Sequence, residues 1–354
     1  MRILLIGNAH DELHGGRYYN PESKLRNGFI RNGHVVHFFS PRDVARASTI
    51  FRSSRIGQKH SNRAFLDTVR VFKPEMIVFI HSVHITNESL FEAKRIMPGV
   101  RLVQICVDPL FRSKISDVLS RRVDIADATF VTTAGDALKT YARPGASVSF
   151  VPNWIDPAID TGRAFDTDTQ AFDVFFAARS HIGDYEGDPR FEFPLAIEKQ
   201  GDISINIRGV DGRPIVQGAA FYDNIMDARM GLNLNGDRQG NGKDPAPFSL
   251  RYLYNSDRVA QVMGCGLLAI STRANHLFEL FPENEEMVFA DTLDEVLEVI
   301  RRYKRDDHER RRIAEAGWRK SHRDYSVDIV TQYIEDVALE KSLRRAYQWP
   351  TTLY

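Results

Sequence analysis

Histidines, an aspartate and arginines recur in this chain directly after short apolar runs, the positions at which a parallel sheet presents chemistry. His10, His14, His81, His84 and His181 all stand there, and an imidazole so placed can act as a general base near neutral pH. Asp108 puts a carboxylate in the same kind of position, after the run 101–107. Arg179 follows the run 174–177 and Arg208 follows 204–207. Two guanidinium forks at neighbouring strand exits suit a diphosphate. Residues 7–16 form a long loop that ends in Gly15 and Gly16, a pair that lets backbone approach a phosphate or a sugar closely. That loop does not match G-x-G-x-x-G, so it is no dinucleotide fingerprint.

Other patterns carry less. Residues 236–243 hint at a phosphate loop, but the register fails. Asp237 stands where the first glycine is needed, and Lys243 is followed by Asp244 rather than Ser or Thr. The stretch reads instead as a binding loop after a strand. Asp166-Thr167-Asp168 has D-x-D spacing but lies in a polar connection away from any strand exit, so no metal is expected there. Cys106 and Cys265 sit in apolar surroundings with no histidine nearby, which predicts small buried residues and no zinc site.

The elements that must hold these residues alternate. Apolar runs at 2–6, 35–39, 76–80, 102–107, 129–132 and 147–151 are separated by helix-permissive segments at 22–32, 61–72, 87–96, 113–122 and 134–142. Such alternation implies right-handed crossovers and a parallel sheet covered on both faces. Residues 152–173 break the pattern and read as a connection between domains. Strands resume at 174–177, 204–207, 231–235, 267–271 and 288–290. Leu293, Val296, Leu297 and Ile300 then mark one helix face, with Thr292 and Glu295 at capping-box spacing. Further helices are expected over 306–322 and 326–346. The architecture is α/β, with two Rossmann-like domains over 1–155 and 156–325.

Composition narrows the function classes. The chain has 354 residues, 43% hydrophobic and 27% charged, with 47 basic and 47 acidic side chains. Zero net charge argues against a nucleic-acid binder driven by bulk charge. No apolar run has the roughly 18–20 residues needed to cross a bilayer. Residues 2–6 read as a first strand rather than a signal peptide, so a cytoplasmic protein is expected, with peripheral membrane contact left open.

Residues 255–271 (NSDRVAQVMGCGLLAIS) carry the strongest pattern. They are followed by Leu277-Phe278-Glu279-Leu280-Phe281, Glu285-Glu286-Met287-Val288 and Ile313-Ala314-Glu315-Ala316-Gly317. Together they resemble the C-terminal signature of CgeB-type, spore-maturation-like glycosyltransferases, relatives of the group 1 (family 4) sugar transferases. That pattern reads approximately R-x-F-E-x-x-A-C-G, a strand, E-x-x-x-L-F, E-E-x-V and I-A-x-A-G. Gly15-Gly16 with 32–36 (NGHVV), 73–78 (KPEMIV) and 151–156 (VPNWID) extend the likeness over nearly the whole chain. Two departures stand out. Gln261 replaces the glutamate expected at the donor ribose, and Leu253 stands where the wider group often has another. The E-x7-E pair is therefore absent. Trp154 also replaces the hinge glycine.

The resemblance implies the GT-B architecture, with parallel sheets facing across a cleft. The second domain would hold a nucleotide sugar and the first an acceptor, with no metal and no other cofactor. The last helix would pack back onto the first domain. It implies a nucleotide-sugar-dependent transferase of bacterial-type glycan biosynthesis, acting on a glycan, lipid-linked or small-molecule acceptor. Donor contacts are expected from Gly15, Gly16, Arg179, Arg208, Gly209, Tyr222, Asn235, Asn255, Arg258 and Gln261. Catalytic contacts are expected from His10, His81 or Asp108. A sugar-nucleotide epimerase on the same fold, or a degenerate binding module, are the alternatives.

Overall fold

The computed structural model describes residues 1–110, 113–179, 188–234 and 252–354. The chain divides into two compact units, one of 1–156 with 327–354 and one of 157–326.

In the first unit the apolar runs become β1 (Arg2–Ile6), β2 (Val35–Phe39), β3 (Met76–Ile80), β4 (Arg101–Cys106), β5 (Ala128–Val131) and β6 (Ser147–Phe150). All neighbours pair in parallel, in the order β2-β1-β3-β4-β5-β6. The helices are α1 (Pro21–Arg31), α2 (Pro41–Ala47), α3 (Gln58–Phe72), α4 (Asn87–Ile96) and α5 (Ser113–Ser120). Leu4, Ile6, Ile77, Phe79 and Leu102 meet Phe65, Val69, Leu90 and Ala93 in one core. Two details depart from expectation. Helix α2 is a short element with Pro41 in its first turn, too brief to show a periodic face. Residues 136–141 form a 3-10 helix rather than an α-helix.

The second unit contains β7 (Phe172–Ala177), α6 (Pro189–Glu198), β8 (Ile205–Arg208), α7 (Ala219–Met226), β9 (Ala228–Asn233), α8 (Asp257–Gly264), β10 (Leu268–Ser271), β11 (Val288–Phe289), α9 (Leu293–Arg305) and α10 (Asp307–Asp324). Its parallel sheet runs β11-β10-β9-β7-β8. The Thr292–Glu295 capping box is formed at the start of α9. Residues 157–171 are no loose tether: Phe165 enters the second core, the Ala164 N–H donates to Cys265 O, and Arg311 donates to the Phe165 carbonyl.

The final helix, α11 (Val327–Ala338), belongs to the first unit. Arg31 pairs with Asp328, and the Asn32 amide donates to Asp328 O and Thr331 Oγ1. The helix stops eight residues short of the expected end, where Glu340 adopts φ 55° and the Lys341 N–H returns to Asp336 O. The remaining C-terminal segment is irregular but tied down. Trp349 is buried against Tyr333, and Tyr354 exchanges both backbone hydrogen bonds with Val148. Among the described residues no helix is long and apolar enough to cross a membrane.

Candidate functional site

Both sheets reverse strand order once. In the first, β1 lies between β2 and β3; in the second, β7 lies between β8 and β9. Chains leaving the two strands at such a point diverge to opposite faces, so a crevice opens at their carboxyl ends and ligands bind there.

At the first switch point, His81 follows β3 with a left-handed backbone (φ 48°). Its Nδ1 lies 3.0 Å from Glu22 Oε1 and its Nε2 lies 3.4 Å from Asp108 Oδ2. Glu22 sits in the first turn of α1, almost fully buried, and Asp108 follows β4. Asn8, after β1, joins the group by donating its amide to the His81 carbonyl, and Asn20 donates to Asn8 O. Gly7 makes this possible, since a Cβ there would lie 2.5 Å from Glu22 Cγ. Burial alone would lower the His81 pKa. Hydrogen bonding to Asp108 and Glu22 outweighs it and holds the group at about 10. His81 is therefore an imidazolium at neutral pH and is not itself poised to take up a proton there. Its side chain is 34% exposed and that of Asp108 37%, so both are reachable.

His10 lies at the β1 exit with φ 58°. Burial and the nearby Arg42 push its pKa down, so it stays a neutral imidazole at pH 7. Gly15 is exposed with φ 84° and open space around it, and Gly16 donates to Leu13 O. Neither glycine is part of the Glu22–His81–Asp108 cluster. The Cys106 thiol is pushed up to about 12, chiefly by burial, so it is inert at neutral pH.

At the second switch point, Arg258 occupies the first turn of α8. Its Nε donates to Ala177 O at 3.3 Å and its Nη1 to Leu234 O at 3.0 Å, and its guanidinium lies over Phe176. The side chain thus spans the carboxyl ends of β7 and β9. The Ser256 side chain does not cap α8. Ser256, in the N-cap position, donates instead to Asn233 Oδ1, and the Asn233 amide donates to Ser271 Oγ. This buried chain of hydrogen bonds sets where α8 begins. Gln261, three residues after Arg258, is half-buried on α8, and Asn255 is buried just before the helix. Arg179 is exposed two residues past β7 and makes no ion pair among the described residues. One strand over, both ends of the Asn275 amide and Thr272 Oγ1 are buried without a hydrogen-bond partner.

Other expected donor contacts lie elsewhere. The Arg208 Nε donates to Asn224 on α7, in a pocket shared with Phe172 and Asp227 at the amino ends of β7 and β9. It does not converge with Arg179, because Asn224 draws it back along the edge strand. Gly209 serves the fold: it has φ 70°, and a Cβ there would lie 2.3 Å from Ala178 O. The Tyr222 hydroxyl is bound to the buried Asp160. Gly266 makes room for Phe165. Asp166 and Asp168 pair with Arg163 and Arg311, and among the described residues no group of ligands could hold a metal. Asn235, the loop 236–243 and His181 lie outside the described residues.

Sequence reasoning missed Glu22, Asn8 and Asn233. Asn20-Pro21-Glu22 reads as an ordinary helix start, and only the fold brings that glutamate under His81.

A family model described as glycosyl transferase-like matches residues 189–336. A search of curated protein sequences finds no significant match. Among solved structures, an alpha-glucosyltransferase in complex with UDP-glucose and DNA containing an abasic site is similar, with TM-score 0.63 and 13% identity over 96% of this chain and 99% of that one. Anabaena HepE in complex with UDP-glucose gives 0.57 and 12%, covering 96% and 100%. Sucrose-phosphate synthase from Thermosynechococcus elongatus gives 0.59 and 10%, covering 96% and 98%. The likeness is one of fold: two parallel α/β sheets, as in GT-B glycosyltransferases.

Proposed function

We propose that this chain transfers a sugar from a nucleoside diphosphate donor, specifically a uridine diphosphate sugar, to an acceptor hydroxyl. The glycosyl transferase-like match and the UDP-glucose held by two solved structures of this fold support the donor class. The observation that carries the reading is Arg258, fixed across the ends of β7 and β9 at the start of a helix that its N-cap residue Ser256 does not cap. A helix start offers backbone N–H groups and a dipole that favours anions. The diphosphate sits there, with Arg179 adding a second cation and Gln261 hydrogen-bonding a ribose hydroxyl from the same helix face.

As the anomeric C–O bond breaks, positive charge develops on the sugar and negative charge on the leaving diphosphate. Donors already fixed at that oxygen stabilise the transition state most. No metal enters this reading. The first unit handles the acceptor. Asp108 takes the hydroxyl proton, while the imidazolium of His81, anchored on Glu22, holds that carboxylate in place.

Calorimetric titration of UDP tests the donor site. Arg258→Ala should weaken binding roughly ten- to a hundredfold, the loss of one charge-assisted contact. Arg258→Lys keeps the charge but loses the fork and should fall between. Wild-type binding by a folded Arg258→Ala protein would remove α8 from the site. The same titration in chelator should be unchanged. Binding without turnover of any UDP-sugar would make the chain a binding module.

A further inference from the structure

The segment 42–63 is the most one-sided stretch of charge in a chain whose net charge is zero. It carries Arg42, Arg46, Arg52, Arg55, Lys59 and Arg63 against a single acid, Asp43. Arginines elsewhere are mostly spent in ion pairs, among them Arg31, Arg143, Arg301 and Arg344. Here Arg46 alone is paired, with Glu12. Arg42, Arg52, Arg55, Lys59 and Arg63 make no ion pair among the described residues, and all but Arg42 are exposed. The positive field reaches inward: Arg42 acts on His10 and His84 to hold their pKa values down, after burial.

The loop between α2 and α3 carries the apolar counterpart. Ile50 is 98% exposed, Phe51 83% and Ile56 65%. This is a built loop. The Arg52 N–H donates to Thr49 O, the Ser53 N–H to Thr49 Oγ1 and the Gly57 N–H to Ser53 O. Its base is clamped by Ser61 Oγ on Pro41 O and by Gly57, where a Cβ would lie 1.8 Å from Ala45 O. A loop held this firmly yet pointing an isoleucine and a phenylalanine into water keeps apolar surface exposed at a cost. Exposed Arg52 and Arg55 lie between Phe51 and Ile56 in the sequence and make no ion pair among the described residues.

We propose that this loop docks the first unit on an anionic lipid surface. Ile50, Phe51 and Ile56 enter the headgroup–acyl boundary, and Arg52, Arg55, Lys59 and Arg63 bind the headgroups. Apolar residues ringed by basic ones are the chemistry of an interfacial anchor, where burial and headgroup attraction add. A nucleic-acid surface would use the cations and leave the apolar tip in water. The start of α3 is bound to the β3 exit, through Gln58 and Asn62 on His84 O. The docking loop therefore rises at the carboxyl end of the sheet, where His81 lies, the end an acceptor displayed on a membrane would meet. Membrane docking stands apart from the proposed sugar transfer, since its test reads no turnover.

The test is co-sedimentation of the full chain with vesicles of phosphatidylcholine alone or mixed in equal parts with phosphatidylglycerol. The chain should sediment with the mixed vesicles and not with the neutral ones. Ile50→Ser with Phe51→Ser, and separately Arg52→Glu with Arg55→Glu, should each cut the partition coefficient at least about tenfold. Each membrane-facing cation is worth roughly fivefold. All four positions are exposed, and unchanged thermal unfolding confirms folding. Absence of sedimentation with mixed vesicles overturns the proposal. So does binding that ignores the serine variants, or duplex DNA binding lost only in the glutamate variants.

Discussion

A single ionisation state decides what the first unit can do. His81 between Glu22 and Asp108 binds its proton through the neutral range, so in the proposed reaction Asp108 rather than His81 takes the acceptor's proton. The pKa is raised above the unfolded value near 6.5 to about 10. The stabilisation it brings is therefore complete below pH 6.5 and lost as pH rises through 10. His81→Gln should lower the melting temperature most at pH 6, with the gap to wild type closing toward pH 10. NMR titration of the His81 ring protons should show a midpoint near 10 in wild type. A midpoint near 6.5 would falsify the carboxylate clamp. The apolar composition around Gly7 and Asn8 announces a strand exit, but nothing in it announces that a buried glutamate lies beneath.

An element is useful here only as far as its start is placed. Helix α8 carries Arg258 and Gln261, and its position rests on Gly231 of β9. A Cβ at Gly231 would lie 2.5 Å from Val262 Cγ1, so the helix packs where only glycine allows it. Gly231→Ala should push α8 away, cost about 1–3 kcal/mol and weaken UDP binding along with stability. Adding Val262→Ala restores the space and should recover both in part, because contacting sites couple. Thermal unfolding and calorimetry on the two variants check this. If Gly231→Ala leaves UDP affinity intact, the helix start is not the donor's anchor. The motif over 255–271 that includes α8 was legible from its sequence. Its hydrogen-bonded seat on Asn233 and Ser271 was not, because those residues come from other strands.

Across the whole molecule, the chain returns at its end to the unit where it began. Val327–Tyr354 packs with 1–156, and Gly28 on α1 is a point of close approach: a Cβ there would lie 2.8 Å from Val327 O and 2.9 Å from Val327 Cγ2. Backbone cannot yield as a side chain can, so Gly28→Val should cost at least about 1–3 kcal/mol. Hydrogen exchange should then show lost protection in 1–156 and 327–354, with 157–326 unchanged. Loss confined to 157–326 would assign the last helix to the other unit.

What the sequence by itself determined are properties of short range. Continuous apolar runs set the strands, a 3.6-residue period and a capping box set α9, and alternation set two parallel sheets. These signals are local, and a parallel sheet buried on both faces writes them plainly. Only the tertiary structure decided which charged groups meet. Arg179 and Arg208 look equivalent along the chain, each just past a strand. Arg208, however, lies on the edge strand, where Asn224 of α7 claims its side chain, while Arg258 takes the ends of β7 and β9. Likewise His10 and His81 look alike, yet one is neutral and the other charged. The difference lies in burial, with Arg42 nearby, for the first and in Asp108 and Glu22 beside the second. Electrostatic environment is set by neighbours in space, and those neighbours stand 59 and 27 residues away from His81 in sequence.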